Sequence, residues 1–290
     1  MKQGDRLFKI INTLFLILIV AVVLYPLYFV VIASVSEPRL VTAGKVFAVP
    51  AGFNLDGYRK VFENHDIWTG YKNAIVYTVV GTAVCLGCTI PAAFVLSRRD
   101  LPGNKLFMGL ITFTMFFNGG LVPSFLLVNN LGLYDSMWAV TLPFAVNVYN
   151  LIVARTFMGS SIPLELYEAA QLDGSSDFQF FFRIVLFLSK PIISVLVLLY
   201  AVEFWNSYFY SLIYLQSRDK FPLQVILREL LIQADMASSI GGDSTMMQLQ
   251  ELAETLKYSV IIVSSLPMMI LYPFVEKYFE KGMMIGSVKG

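Results

Sequence analysis

Six long apolar stretches place the strongest limit on what this chain can fold into. A helix needs about 20 consecutive apolar residues to cross the hydrocarbon of a bilayer. The stretches that meet this length lie at about 11–33, 70–97, 106–128, 137–158, 190–215 and 258–279. In lipid, backbone N–H and C=O groups must be paired within the protein, which a helix achieves by itself. The sequence therefore predicts an all-α membrane protein with six transmembrane helices, in one domain covering residues 1–290.

The composition supports lipid as the solvent of most of the chain. Charged residues make up 14% of the sequence and hydrophobic residues 57%, with a mean hydropathy of +0.69, whereas soluble domains carry about 25% charged residues. The net charge of +1 gives no reason to expect nucleic acid as a partner. Two cysteines and one histidine exclude a disulfide scaffold and a histidine-rich metal site.

The first apolar stretch is predicted to be retained as a membrane span. It follows Lys2, Arg6 and Lys9 and is interrupted at Tyr25-Pro26. A secretory signal has a shorter apolar core, of about 7–15 residues, followed by a small-residue cleavage site. Neither feature is present here, so we expect a first transmembrane helix.

The basic residues of the loops predict the orientation. Arg98, Arg99 and Lys105 lie in the short loop between the second and third stretches, and short cytoplasmic loops carry an excess of Lys and Arg. With this loop inside, both termini are cytoplasmic. Two long segments, about 34–69 and 216–257, then lie outside, where they either contact another molecule or only cap the helices. The second is predicted to end in an amphipathic helix.

A polar helix-turn-helix is predicted between the fourth and fifth stretches, at about 159–189. Pro163 suits the first position of a helix. Asp173-Gly174 is predicted to end that helix, because glycine adopts a left-handed conformation without steric cost. A second helix is predicted to begin at Ser176, with Gln179 at the spacing of a capping box.

The first of these helices carries a surface that a partner could approach. Glu165 and Glu168, three residues apart, share one helix face and could engage basic or amide groups. Ala169 and Ala170 leave a small-residue surface beside them. An ordinary solvated loop helix has the same composition, so that alternative stays open.

This segment resembles the EAA loop of binding-protein-dependent ABC importer permeases. The usual pattern ends in proline, where this chain has Phe187. The matching positions are Glu168, Ala169, Ala170, Gly174, Ile184 and Leu186. The resemblance implies a type I importer permease fold, in which a cytoplasmic coupling helix docks on an ATPase. The residues to which it gives this coupling role are Glu165, Glu168, Ala169, Ala170, Asp173 and Gly174.

Two further segments resemble the carbohydrate-uptake permeases of the MalG type. FWNSYFYSLIYL, at 204–215, is similar to their WN-x-F-x-x-PL segment, with Ser211 in place of proline. GMMIGSVKG, at 282–290, is similar to their ending in GAVKG. The stretch from Gly119 to Pro143 resembles the branch that handles oligosaccharides and polysaccharide fragments.

The resemblance implies a multi-pass subunit of a bacterial inner-membrane importer that moves a sugar by alternating access. Its partners would be a second homologous permease subunit, two ATPase subunits that bind ATP and Mg, and an external sugar-binding protein. The chain itself contains no G-x-x-x-x-G-K-[ST] loop. We therefore expect no enzymatic activity, no cofactor and no metal in this chain.

Glu203 is the one acidic residue well inside a predicted span. A charge at a helix centre costs roughly 2.5–3.5 kcal/mol on insertion scales, so such residues usually face a protein interior or a water-filled cavity. Glu203, Asn206 and Tyr210 are spaced to share one helix face, and Trp205 and Tyr208 could stack on a sugar ring. Hydrogen bonds between helices are the alternative role. Other pathway candidates are Asn118, Asn147 and Asn150.

Two apparent motifs are better explained by structure. Cys85 and Cys88 form a C-x-x-C pattern within the second span, where small residues favour helix contacts. His65 lies in a polar segment without partner ligands in the sequence. Two alternative functions remain open: an importer of peptides, polyamines or phosphate, and a polytopic membrane enzyme or assembly scaffold.

Overall fold

A computed structural model describes residues 3–239, 256–270, 272 and 273. These residues form helices and connecting segments, and the described part contains no β-strand apart from one isolated bridge between Ser36 and Phe53. The prediction of an all-α protein is confirmed.

Two helices are long and apolar enough to cross a membrane within the described part of the chain. Helix α1 covers Gln3–Ser34, of which Phe8–Ser34 is the apolar part. Two short helices follow, α2 at Pro38–Thr42 and α3 at Asp56–Glu63. Helix α4, His65–Ser97, is the second long helix. These two helices confirm the spans predicted at 11–33 and 70–97.

The chain at the predicted spans 106–128 and 137–158 is divided into bent pairs of helices. The first is divided into α5, Asn104–Phe116, and α6, Leu121–Asn130, which are bent by 110°. The second is divided into α7, Met137–Thr141, with a 3₁₀ turn at Leu142–Phe144, and α8, Val148–Ser161. The bend in this pair is 49°.

Local hydrogen bonds explain both breaks. Gly120 has a φ of +81°, and its N–H donates to Oδ1 of Asn118 over 3.0 Å, so the side chain replaces a helical backbone acceptor. Asn147 caps α8, because its Oδ1 accepts from the N–H of Asn150 over 3.3 Å.

The predicted span at 190–215 also contains a break. Helices α9, Leu164–Leu172, and α10, Asp177–Phe180, precede it, and a π turn at Phe181–Val185 leads into α11, Leu186–Leu188. Helix α12 then covers Lys190–Trp205, bent by 77° from Asp177–Leu188. Residues 206–208 are not helical, and α13 covers Phe209–Tyr214. The continuous helix predicted to Leu215 is therefore wrong.

The last described helices are α14, Leu223–Ser239, and α15, Leu256–Ile270. Most of the amphipathic helix predicted before α15, the end of the 258–279 span and the 282–290 motif lie outside the described residues. With each bent pair taken as one span, the described residues hold up to five spans. The helical membrane architecture is confirmed, and the count of six stays a prediction.

The described residues form two compact units. The first contains those before Trp68 together with the described residues of 227–266, and the second contains Trp68–Ile226 and the few described residues after 266. In the first unit, the hydroxyl of Tyr28 donates to the carbonyl of Ala48 over 2.6 Å, and the rings of Phe29 and Tyr258 meet edge to face. The prediction of a single domain stays a prediction.

The second unit has a core between α4, α8, α9 and α12. Fully buried members include Cys85, Ala154, Leu196 and Tyr200. A methyl group built on Gly81 of α4 would lie 2.6 Å from the ring of Phe204 on α12. The missing side chain of Gly81 leaves the room in which the ring of Phe204 packs against α4.

Candidate functional site

The predicted helix-turn-helix is present and is held by local capping. Helix α9 begins after Pro163, which occupies the N-cap rather than the first helical position. At the other end of the helix, Gly174 has a φ of +77°, and its backbone N–H donates to the carbonyl of Gln171 over 2.9 Å. The backbone N–H of Ser175 donates to the carbonyl of Ala170, also over 2.9 Å, and this bond completes a Schellman motif. The predicted stop at Asp173-Gly174 is confirmed.

The second helix of the loop is fixed by the capping box expected from its sequence. The N–H of Gln179 donates to Oγ of Ser176 over 3.3 Å, and the N–H of Ser176 donates to Oε1 of Gln179 over 3.2 Å. Both ends of the turn between α9 and α10 are therefore specified by side chains and backbone within a few residues.

Helix α9 has one accessible face and one packed face. Glu168 and Ala169 are exposed, and Leu172 is 90% exposed. Ala170 is only 7% exposed and packs in the core near Phe180. The prediction that Ala170 offers a surface to a partner is therefore wrong, because it faces the core side of the helix. Exposure at Glu165, Asp173 and Gly174 leaves those positions accessible.

Arg98, at the end of α4, joins this loop to that helix. Its guanidinium donates to Asp177 over 3.1 Å and to Asp100 over 3.0 and 2.5 Å, and it lies 4.1 Å from the ring centre of Tyr167. The Tyr167 hydroxyl donates to Asp177 over 2.6 Å and accepts from Gln171 over 2.7 Å. We call these five residues the Arg98 cluster. In the sequence, Arg98 indicated only the orientation of its loop, and its contacts with Tyr167 and Asp177 were not predicted.

Hydrogen bonds within the Arg98 cluster shift the pKa values of its side chains. The hydrogen bond to Asp100 raises the pKa of Arg98 above its ordinary value. The hydrogen bond from Tyr167 lowers the pKa of Asp177, and the same bond raises that of Tyr167. The cluster is thus a charged arginine between two ionised carboxylates near neutral pH.

A polar cavity of about 350 Å³ lies beside this cluster. Its lining includes Ser97, Arg98, Ser160, Pro163, Glu165 and Tyr167. Glu165 therefore borders a cavity between α9 and the end of α4, while Glu168 does not line it.

A second cavity, of about 210 Å³, contains four predicted pathway residues. Those residues are Glu203, Asn206, Tyr208 and Tyr210, and they are joined by Phe144, Phe204, Ser207 and Phe209. Small-molecule sites usually enclose about 300–1,000 Å³, so this cavity is too small to be a complete site. It forms one wall with room for another surface.

The predicted residues that line this cavity come together through a break in the helix, not along one continuous helix face. Helix α12 ends at Trp205, Asn206 caps it by donating to the carbonyl of Val202 over 2.9 Å, and Tyr210 belongs to α13. The prediction of one continuous helix face is wrong, because the break turns the chain back around the cavity. Trp205 does not line the cavity: it is 4% exposed and packs against the ring of Tyr71.

The three asparagine candidates occupy different surroundings. The backbone N–H of Asn147 donates to the hydroxyl of Tyr200 over 3.4 Å, and Asn147 does not line the cavity of Glu203. Asn150 is buried beside the hydroxyl of Tyr200. Asn118 holds the break between α5 and α6 and does not line the cavity of Glu203.

A second polar cluster was not predicted and forms around Asp135. Its carboxylate accepts from the backbone N–H groups of Gln216 and Ser217 over 2.8 and 3.0 Å, from the Ser217 hydroxyl over 2.5 Å and from Lys220 Nζ over 2.8 Å. Lys220 also donates to the carbonyl of Asp135 over 2.6 Å. We call these four residues the Asp135 cluster. The hydrogen bond from Lys220 is the main cause that lowers the pKa of Asp135.

The Asp135 cluster adjoins the first half of α4. The Tyr77 hydroxyl donates to the carbonyl of Lys220 over 2.8 Å. The Asn73 side chain donates to the carbonyls of Asp219 and Phe221 over 2.7 and 3.1 Å. One signal in the sequence was available: Asp135 is the one charged residue between positions 106 and 154.

The C-x-x-C pattern is divided between two environments. Cys85 is buried and its thiol donates to the carbonyl of Phe144 over 3.2 Å, whereas Cys88 is exposed. Among the residues that the structure describes, no group of three or more His, Cys, Asp or Glu side chains could hold a metal ion.

Comparisons with known proteins agree with this architecture. The chain is 40% identical over 291 residues to the polygalacturonan/rhamnogalacturonan transport system permease protein YtcP of Bacillus subtilis, covering 99% of each chain. It is 39% identical over 288 residues to the protein LplC of the same organism, covering 99% of this chain and 97% of LplC.

A solved structure gives the same result in three dimensions. It belongs to a bacterial ABC transporter involved in the import of the acidic polysaccharide alginate. The TM-score is 0.86 at 33% identity, with 96% of this chain and 99% of that chain covered. Residues 67–285 match the family model described as the binding-protein-dependent transport system inner membrane component. The chain therefore belongs to this family of transporter permeases.

Proposed function

We propose that this chain is a permease subunit of an ATP-driven importer of oligosaccharides in a bacterial cytoplasmic membrane. It pairs with a second homologous permease subunit, two ATPase subunits and an external sugar-binding protein. ATP and Mg bind to the ATPase subunits, and this chain hydrolyses nothing. The relatives named for polygalacturonan, rhamnogalacturonan and alginate support a saccharide cargo.

The two faces of α9 are the observation that carries this proposal. One face presents Glu168, Ala169 and Leu172 to a partner. The other packs into the core, and its Tyr167 ring contacts Arg98 at the end of α4. A helix with this arrangement receives force on one side and passes it to a membrane helix on the other. Shifting the permease between two states requires a partner that binds those states with different affinity, which is the role of the ATPase pair.

The orientation follows from the same contact. The loop at 159–189 faces the cytoplasm, because the ATPase subunits and ATP are there, and both chain termini lie on that side. The basic loop of Arg98, Arg99 and Lys105 supports this assignment.

A pair of neighbouring alanines provides the test. In a background where Cys85 and Cys88 are replaced by serine, Ala169→Cys should form a crosslink with the co-expressed ATPase subunit in membranes. Ala170→Cys should not, because that side chain points into the core. Equal crosslinking of the ATPase subunit at both positions, or no crosslink to it from Ala169→Cys, would contradict the docking role.

The cargo is tested separately with the purified complex in lipid vesicles. The external binding protein loaded with oligosaccharide should stimulate ATP hydrolysis and uptake of the saccharide. Stimulation by a peptide, a polyamine or phosphate, with none by any saccharide, would keep the coupling mechanism and replace the cargo.

A further inference from the structure

The membrane segments of the second unit carry few charged side chains. The spans predicted at 70–97, 106–128, 137–158 and 190–215 contain one acidic side chain, Glu203, and three basic ones toward their ends, Lys72, Arg155 and Lys190. Asp135, between two of these segments, is already bound to Lys220 and Ser217. Between the basic residues near their ends, these segments present a solute with one carboxyl group, that of Glu203, and no cation.

Glu203 lies where a solute could reach it. It borders the 210 Å³ cavity with the amide of Asn206 and the phenols of Tyr208 and Tyr210. The ring of Phe144, which also lines the cavity, lies 4.4 Å from that of Tyr210. Asn147, the N-cap residue of α8, does not line this cavity. None of the cavity's lining residues is basic.

This chemistry discriminates between two kinds of sugar. The hydroxyls of an uncharged glycosyl residue donate to a carboxylate or an amide oxygen, and its C–H face packs on aromatic rings. A uronate residue brings its own carboxyl group, and two carboxyl groups at one poorly hydrated site cannot both be ionised without cost, so binding the uronate requires one of them to take up a proton. A partner cation could offset that cost, but this wall supplies none.

We infer that the Glu203 wall selects uncharged glycosyl residues over uronates. The wall consists of Glu203, Asn206, Tyr208, Tyr210 and Phe144. This inference rests on the proposed function, since it assigns the class of saccharide that this subunit admits. It separates the chain from the relatives whose names contain polygalacturonan, rhamnogalacturonan or alginate.

Matched saccharides test the inference in vesicles that contain the complete transporter and its binding protein. Trigalacturonate, its fully methyl-esterified form and galactotriose share a backbone and differ in charge at C6. A wider panel adds neutral xylo-, manno- and gluco-trisaccharides and the uronate trimannuronate. The wild-type transporter should take up the neutral members at least about tenfold faster than the uronates, equivalent to about 1.4 kcal/mol.

Two variants of the wall should move the selectivity in opposite directions. Glu203→Gln removes the carboxylate and keeps the shape, so the uronate-to-neutral uptake ratio should rise about tenfold. Asn206→Asp adds a carboxylate to the same cavity and should lower that ratio. Asp219→Asn removes a carboxylate outside the cavity while keeping the backbone carbonyl that Asn73 uses, and it should leave the ratio unchanged.

Each result has one meaning. Faster uptake of the neutral members, together with a ratio that rises in Glu203→Gln and not in Asp219→Asn, supports the inference. Uronates entering faster than neutral members, or a ratio that Glu203→Gln leaves unchanged, overturns it and leaves saccharide import intact. If no saccharide in the panel is moved or stimulates ATP hydrolysis, the proposed cargo fails and the inference fails with it.

Discussion

Two polar clusters adjoin α4, one along its first half and one at its C-terminal end, and they differ in how they are built. The Arg98 cluster joins side chains to side chains, and the carboxylate of Asp177 is 64% exposed. The Asp135 cluster joins side chains to the main chain of two segments, and the Asp135 side chain is 21% exposed. The first can be broken and remade by rotating side chains, whereas opening the second leaves backbone groups without partners.

This difference fits different mechanical roles. About 21 residues of α4 separate Tyr77 from Arg98, which is about 32 Å of helix. A long helix with a fixed contact in its first half and an adjustable contact at its C-terminal end can be moved from the adjustable end. In the proposed mechanism, α9 moves with the ATPase subunits and pulls on α4 through Arg98, while the Asp135 cluster keeps its own end of the unit together.

Breaking the Asp135 cluster should lower the stability of the complex more than the other changes below. Asp135→Ala removes an acceptor shared by two backbone N–H groups, a hydroxyl and Lys220, so the free energy of unfolding of the complex should fall by about 2–3 kcal/mol. Asp135→Asn keeps one carbonyl acceptor without the charge and should lose less. Thermal unfolding of the purified complex in lipid nanodiscs measures both. A change of under about 0.5 kcal/mol in the alanine variant, the size of an ordinary surface substitution, would show that the cluster is not a clamp.

Breaking the Arg98 cluster should reduce the coupling of transport to ATP hydrolysis more than it reduces stability. Arg98→Gln should lower the saccharide transported per ATP hydrolysed by about tenfold, a coupling loss of about 1.4 kcal/mol. Tyr167→Phe keeps the ring under Arg98 and removes the hydroxyl that binds Asp177 and Gln171, so a smaller loss is expected. Uptake and phosphate release in the same vesicles give the ratio.

A neighbouring arginine provides the control for that experiment. Arg99→Gln removes the same charge one position later and should leave the ratio within about twofold. The Ala169→Cys crosslink should still form when combined with Arg98→Gln, which would show that docking persists while transmission is lost. Disappearance of the crosslink would mean that Arg98 folds the loop and does not transmit its movement.

Acid should have the smallest effect on stability, and it should act on the Asp135 cluster. Hydrogen bonding lowers the pKa of Asp135 in the folded protein below the unfolded value of about 3.9. Its contribution is therefore complete above about pH 5 and is lost as pH falls through the folded pKa. The stability difference between wild type and Asp135→Asn should be constant from about pH 7 to 5 and shrink below pH 4. A difference that grows in acid would contradict the assignment.

Features that depend on neighbouring residues were predictable. The stop at Gly174 and the capping box of Ser176 and Gln179 appear as expected, because each rests on contacts a few residues apart. The long apolar helices α1 and α4 were also predicted, since their length and composition suffice. The break after Trp205 was not, because a short apolar sequence gives no strong signal for where a helix ends.

Features that depend on distant contacts were not predictable from one sequence. Arg98 and Asp177 are 79 positions apart, and Asp135 and Lys220 are 85 positions apart. Nothing in the local pattern around any of them indicates its partner. Four of the pathway residues were named correctly as neighbours of one cavity, but on the assumption of a helix that the structure divides.

The sequence by itself determined that this chain is a helical membrane protein and where its exposed loop helix begins and ends, because span length, capping and turn chemistry act over short distances. Only the tertiary structure decided that Ala169 faces out while Ala170 faces in, that Tyr210 returns to Glu203, and that one arginine joins α9 to α4. Those outcomes depend on which helices pack together, and packing is a property of the whole fold.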